Sequence, residues 1–462
     1  MQFAAQLGRN HERTATSPVT NTRLLHPTRE ESLHHPFINT PTHIGSFMTT
    51  THDSITQTTL DNGLRIVIEP NDSMRSVAMG LMIPCGVIHQ EKNELGMASI
   101  CAELLLRGTT TRNSQKQADD FDLAGAVRDA SPSMHSTAIS MTTLDNRFEE
   151  SIELIADMSL NPEMSDESFD ASRTMAQHAL ASLADDPQQR AVLAARHRHL
   201  PEPFNRNTYG TESSLTNLTA DRTRQWWNTH ANPNGAIISI AGAINPDQAI
   251  NLIQKHFGQW TGKSQAPVID TQAPRGYAHE KDDTNQVQII IVNDAPPANH
   301  PNHIHELLAV SVLSGGMSGR LFTEVREKRA LCYSVSASYR AEKDFGLITS
   351  YVGTTPERAQ ESLDVLHEQL GAIQAGDVTQ DEFNRARIGL KSRVIFSGES
   401  TGARASSLIA DIIKRGQPRT LQQIINQIDT IDLDSLNAYL KNRTLGQTTI
   451  QTLGPTPLTP PA

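Results

Sequence analysis

The spacing of hydrophobic and polar positions changes along this chain in a fixed order, and the order occurs twice. Residues 56–60 and 64–69 flank the turn residues Asp61, Asn62 and Gly63, the pattern of strand, tight turn, strand. Residues 76–83 predict another strand, closed by Pro84. A helical run follows Gly96 over 97–107 and stops at Gly108. Then come a strand at 136–144, an amphipathic helix at 148–160 broken by Asn161-Pro162, and a longer helix at 165–183. The second pass predicts a strand at 286–292, a helix at 305–313, a strand at 347–351 and helices at 356–373 and 379–394.

The two passes also share residues. Glu150-Ser-Ile-Glu-Leu-Ile echoes Glu361-Ser-Leu-Asp-Val-Leu at an offset of 211, and Glu167-Ser-Phe-Asp-Ala-Ser-Arg echoes Asp381-Glu-Phe-Asn-Arg-Ala-Arg at an offset of 214. A duplicated α/β unit of about 200 residues explains both, with three residues inserted between the matched blocks. The expected division is a disordered extension at 1–52, one domain at 53–260, a linker rich in Pro, Gly, Gln and Asp at 261–283, and a second domain at 284–455.

Residues 1–52 hold six of the 18 histidines, thirteen Ser/Thr and no lysine, without apolar periodicity. They lack a basic segment followed by an apolar run, so a cytoplasmic location is expected, with the periplasm left open. Met48, just before the first ordered-looking residues, is an alternative start. At 462 residues the chain exceeds one core. Its longest apolar stretches, such as 307–313, fall far short of the roughly 20 residues that span a bilayer, so no membrane span is expected. A net charge of −11 argues against nucleic acid. Cys85, Cys101 and Cys332 are far apart and embedded in apolar runs, so they read as buried thiols.

The helix after Gly96 carries a resemblance. Gly96-Met-Ala-Ser-Ile-Cys-Ala-Glu-Leu-Leu-Leu-Arg-Gly-Thr is similar to the zinc-site helix of the pitrilysin/insulinase peptidases, which include the mitochondrial processing peptidases. That family bears an inverted HxxEH: two histidines on one helix face hold zinc, and the intervening Glu polarises water. A later helix supplies a Glu ligand. Here Ser99 takes the first histidine position, Ala102 that of the base, Glu103 that of the second histidine and Ala179 that of the distal Glu. The resemblance spans residues 55–455, including Leu60-Asp-Asn-Gly-Leu-Arg, Gly210-Thr-Glu-Ser-Ser-Leu and Asn232-Pro-Asn-Gly. It implies an α+β fold of two homologous α/β sandwich domains, each an antiparallel sheet with helices packed on one face, together half a clamshell.

In the second half, Ser314-Gly-Gly-Met-Ser-Gly-Arg-Leu-Phe and Val325-Arg-Glu-Lys-Arg-Ala-Leu-Cys-Tyr resemble the family's C-terminal signature. The resemblance assigns Arg326 and Tyr333 to the substrate backbone and developing oxyanion at a zinc site in the opposite chain. Read on residues alone, Arg326 is a helix-surface cation and Tyr333 opens a core strand. Gly315-Gly316 reads as a tight turn leaving a helix. His300, His303, His305 and Glu306, like His197 and His199, read as ordinary surface residues rather than a metal site.

The function implied is a non-catalytic, substrate-binding or regulatory subunit that binds no cofactor itself and pairs with a zinc-bearing paralogue with intact HxxEH to cleave peptides or small unfolded proteins. The alternative is a structural subunit of a larger complex, without a role in proteolysis.

Overall fold

The alternating segments become strands of two sheets. The computed structural model describes residues 55–263, 269 and 272–461. The extension expected at 1–52 lies outside the described residues, as do 264–268, 270 and 271 of the expected linker. In the first sheet, β1 (Thr56–Thr59) and β2 (Arg65–Pro70) form the expected hairpin, and β3 (Ser76–Ile83) is buried at every position after Ser76. A two-stranded ribbon, β4 (Gly108–Thr109) with β5 (Arg112–Asn113), stands apart. β6 (Val127–Pro132), β7 (Thr137–Leu144) and β8 (Ile237–Gly242) complete the order β1-β2-β8-β3-β7-β6. The second sheet holds β9 (Gly276–Lys281), β10 (Val287–Ala295), β11 (Cys332–Ala341), β12 (Gly346–Thr354) and β13 (Thr449–Gly454). From its other edge it reads β9-β13-β10-β12-β11, the first sheet's order without β1.

This correspondence extends to pairing. β2 runs parallel to β8 and β9 parallel to β13, while the other ladders of both sheets are antiparallel. The expected antiparallel sheets thus each contain one parallel ladder, because β8 and β13 return to the sheet only after helical segments. β9 also falls within the stretch expected to be a linker. All but its last residue are half-buried, as befits an edge strand, and Gly-Tyr-Ala-His-Glu-Lys has no clean alternation to announce it.

The helices are α1 (Met97–Leu105), α2 (Ser114–Leu123), α3 (Phe148–Leu160), α4 (Asp166–Ser182), α5 (Pro187–His199), α6 (Glu212–Asn217), α7 (Ala220–His230) and α8 (Pro246–Phe257) in the first half. The second half has α9 (His303–Ser314), α10 (Ala359–Gln374), α11 (Gln380–Gly398), α12 (Thr401–Arg415), α13 (Leu421–Asp429) and α14 (Leu433–Asn442). Among the described residues no helix is long and apolar enough to cross a membrane.

Most helices cover the inner face of their own sheet. Met79 and Leu81 of β3 meet Ile100 and Leu104 of α1 and Ile152 and Ile155 of α3 in one core. α9, α10 and α14 do the same for Ile289, Ile291 and Val352. Two helices cross over. α12 packs on β3 and β8 of the first sheet, and α5 packs on β10 and β13 of the second. Ala405 of α12 meets Ala78 and Ala241, while Leu408 and Ile412 pack with Val67, Met82 and Ile237. Gly80 permits the closest approach, since a Cβ there would stand 2.7 Å from Ile409. Ala191 and Ala195 of α5 pack in one cluster with Ile290 and Leu453.

Each crossed helix is pinned by an arginine. Arg190 of α5 pairs with Glu280 of β9 and, at 2.6 Å, with Asp282. Arg404 of α12 pairs with Glu69 of β2. Arg190 and Arg404 are 214 residues apart, and Glu69 and Glu280 are 211 apart, the two offsets of the sequence echo. The duplication therefore conserves a contact between halves as well as the fold of each, and the described residues form one compact unit.

Candidate functional site

α1 begins at Gly96, whose φ of 98° is open to glycine, and the Gln90 side chain accepts from the Ala98 N–H at 3.1 Å. Its apolar face is buried. Ser99 donates its hydroxyl to the Thr208 carbonyl at 2.6 Å. Ala102 is buried in the core. Glu103, one helical turn from Arg107, forms an ion pair with it at 2.8 Å, and the same guanidinium lies 2.9 Å from the Met175 sulfur on α4. Ala179 of α4 shares a cavity of about 320 Å³ with Ser99, between Pro132 and Tyr209.

The fold thus brings together α1 and the α4 position that resemblance pairs with it, but with different chemistry. One hydroxyl is spent on a carbonyl, one carboxylate on an arginine, and two methyl groups supply nothing. These donors do not fit zinc, which takes three or four thiolate, imidazole or carboxylate ligands. Among the described residues no group of three or more His, Cys, Asp or Glu side chains is placed to hold a metal ion.

Arg326 and Tyr333 lie at the β11 edge of the second sheet. Phe322–Glu327 is a turn of π-helix, a form often found at functional sites. Lys328 and Arg329 clamp Glu324 at 2.6 and 2.8 Å and hold its carboxyl below the ordinary range. Arg326 makes no ion pair among the described residues. Its guanidinium is exposed and lies 5.0 Å from the Phe322 ring.

Tyr333 occupies a bulge. Cys332 pairs with Thr354 and Ser334 with Gly353, which leaves Tyr333 as the extra residue, and a bulge re-aims such a side chain. The ring is 45% exposed rather than part of a core strand. Its hydroxyl donates to Gln286 Oε1 at 2.5 Å, and the amide of buried Gln288 reaches the same oxygen at 3.4 Å. Gln288 in turn accepts from the Tyr351 hydroxyl at 2.8 Å. Gly353 makes room, for a Cβ there would stand 2.7 Å from the Tyr333 hydroxyl. Sequence reasoning missed Gln286 and Gly353. A glycine inside a strand marks close approach and could have flagged Gly353; Gln286 gives no signal. No hydrogen bond or ion pair joins Arg326 or Tyr333 to Ser99 or Glu103. Gly316, at φ 141°, makes the expected turn after α9.

The histidine clusters differ from expectation. Glu306 is fully buried, paired with Arg443 at 2.6 Å and accepting from Tyr439. His199 is also buried, between Thr449 at 2.9 Å and Asp294 at 3.0 Å. Both read as surface residues because polar letters hide their partners, which lie 137 and 250 residues away. His303 bonds the Tyr339 hydroxyl at 3.0 Å, whereas His197 is exposed as expected. Cys85 and Cys101 are buried, and burial pushes the Cys85 thiol up to about 12; Cys332 is only half-buried.

Burial, followed by Arg415, Arg419 and Lys414, lowers His303 to about 3, and burial with His230 lowers His89 to about 4. Both are held neutral in the folded chain. The unfolded chain takes up protons below about 6.5, so their contribution to stability is complete above that pH and is lost as pH falls toward 4. The urea midpoint should drop over that window, and His303→Phe should flatten the drop. An unchanged slope in the variant would contradict this.

Two family descriptions match the chain: "Insulinase (Peptidase family M16)" over residues 65–212 and "Peptidase M16 inactive domain" over 217–390. The uncharacterized zinc protease YmxG of Bacillus subtilis is 26% identical over 388 residues, covering 83% of this chain and 94% of that protein. The uncharacterized zinc protease ML0855 of Mycobacterium leprae is 25% identical over 396 residues, covering 83% and 88%. Among solved structures, the peptidase M16 inactive domain from Pseudomonas fluorescens superposes with a TM-score of 0.77 at 18% identity, covering 88% of this chain and 99% of that one. A protease from Helicobacter pylori superposes with a TM-score of 0.77 at 19% identity, covering 87% and 99%.

Proposed function

This chain belongs to the insulinase family, peptidase family M16, and from that premise we propose that it is the non-catalytic, substrate-binding subunit of a zinc endopeptidase acting on peptides or small unfolded proteins. Its partner is a paralogue that bears the intact HxxEH and the zinc. One contrast carries the reading. The positions that would hold metal are Ser99, Ala102, Glu103 and Ala179, yet Arg326 is left without a counter-ion and Tyr333 is turned outward by a bulge. A subunit kept only for its bulk has no need of a tyrosine turned outward by a bulge.

β11 is an edge strand, so an extended peptide can add to it through backbone hydrogen bonds. Such a peptide passes Tyr333 at one end of the strand. In the closed pair Arg326 would bind the substrate backbone, and the Tyr333 hydroxyl would turn from Gln286 to the carbonyl oxygen of the scissile bond, where it would stabilise developing negative charge. The chain itself supplies no base and no metal.

The test is reconstitution. Neither this chain nor a soluble HxxEH-bearing partner should cleave peptides efficiently alone, and the mixture should. Purification of this chain within a membrane complex, with no effect on cleavage, would favour the structural-subunit alternative. The purified chain should also contain far less than one zinc per molecule. A one-to-one zinc content that disappears on changing Ser99 or Glu103 would overturn the assignment.

A further inference from the structure

α12 does not cover the outer face of the first sheet completely. It closes on β3 and β8, but over β7 it leaves a cleft of about 280 Å³ between Met82 and Ala138 on one side and Ile409 and Ile413 on the other. A second cavity, of about 370 Å³, lies against His303 at the start of α9 and Tyr339 at the end of β11. The two cavities share Arg340, Ala410 and Lys414. One is mostly apolar and the other is basic.

The charges there do not balance, although the chain as a whole is acidic. Asp411 neutralises Arg419 through two contacts of 2.7 and 3.0 Å. Among the described residues Glu342 is the only carboxylate in contact with Arg340, at 2.7 Å, and with Lys414, at 3.5 Å, whose ammonium also donates to the Ala341 carbonyl at 2.6 Å. Arg415 is left with one approach of 3.5 Å to the already shared Asp411 and no hydrogen bond among the described residues, while its side chain is only 16% exposed. Arg196 of α5, close to Arg340 and Glu342 but lining neither cavity, has no ion pair among the described residues and a buried, unpartnered Nε. Burial lowers both guanidiniums from their usual range. Desolvated cations without acceptors are costly unless an anion completes them.

We propose that the linked cavities bind an amphipathic carboxylate of the fatty-acid class, its unbranched apolar chain in the cleft beneath α12 and its head group on Arg415 and Lys414. The backbone argues against an extended peptide as the occupant. β3 and β7 are interior strands, paired on both edges by β8, β7, β3 and β6, so the cleft offers no free ladder of N–H and C=O groups. An alkyl chain asks for none.

Decanoate, below its micellar concentration, is the probe, with decanol, inorganic phosphate and trileucine as comparisons, read by titration calorimetry on the full chain. Decanoate should bind one to one, and decanol and phosphate each about tenfold or more weaker, the loss expected when either the charge-assisted hydrogen bonds or the apolar contact is missing. Arg415→Gln should weaken decanoate to a similar degree and leave decanol unchanged. Ala138→Leu, at an exposed position, should fill the cleft and weaken decanoate and decanol alike; Ile413→Phe fills it from the helix side if the first variant misfolds. The proposal falls if decanoate fails to bind, if it binds both classes of variant as it does the parent, or if trileucine binds more tightly.

Discussion

Tyr333→Phe should lower turnover by the reconstituted pair about 10²–10³-fold, the usual loss when one donor to an oxyanion is removed from a water-excluding site. The ring, the bulge and the packing over Gly353 all survive this change, so association of the two chains should not alter. A phenol has one proton. In the free chain it is given to Gln286 at 2.5 Å, and engagement of substrate requires that bond to be exchanged. Gln286→Leu should therefore cost less than Tyr333→Phe, because it removes a resting partner and not the donor. Gly353→Ala should approach the full loss, because the added Cβ would crowd the Tyr351 hydroxyl and displace that of Tyr333 through a contact of 2.7 Å. Arg326→Ala should raise KM as well, since a guanidinium bound to substrate backbone acts in the ground state too. Peptide cleavage with the zinc-bearing chain held constant is the measurement. Wild-type rates for both Tyr333→Phe and Arg326→Ala would make the pair structural and this chain a scaffold.

β3 and α3 were legible from sequence, falling at the positions their pattern predicts, and the repeated order of strand and helices announced a duplication. The two helices that join the halves were not. α5 has an apolar face made largely of alanine among polar residues, which carries little amphipathic signal, and its partners lie on strands about 100 and 250 residues away. β9 falls within the expected linker because an edge strand needs no regular alternation. α1 was legible because its setting of glycines and apolar residues carries the resemblance described above. Aiming is a tertiary property: no local feature of Tyr333 shows that Cys332 and Ser334 pair past it.

The largest expected loss of stability follows from the crossed helices. Arg404 is 5% exposed in its side chain and Glu69 14%, and Arg404 also donates to the Arg419 carbonyl at 2.6 Å. Arg404→Met leaves a buried carboxylate and a carbonyl unpaired, which should cost about 3–5 kcal/mol. Its counterpart differs in setting and in partners, since Arg190 also pairs with Asp282 at 2.6 Å. Arg190 is 25% exposed and Glu280 40%, so solvent screens that pair, and Arg190→Met should cost about 1 kcal/mol or less. Urea midpoints measured on the two variants decide the matter: equal shifts would mean that the duplicated contacts do not differ in burial, and no shift for Arg404→Met would remove the clamp from the account. The same geometry constrains folding. Without α12 the first sheet would expose Val67, Met82 and Ile237, and without α5 the second would expose Ile290 and Leu453. Each half completes the other's core, so the whole chain should unfold in one transition by tryptophan fluorescence and by far-ultraviolet dichroism, and residues 53–260 expressed alone should fail to reach a cooperative fold. Because Trp226, Trp227 and Trp260 all sit in the first half, the fluorescence follows that half alone, and a dichroism curve displaced from it would mean that the halves separate before they unfold.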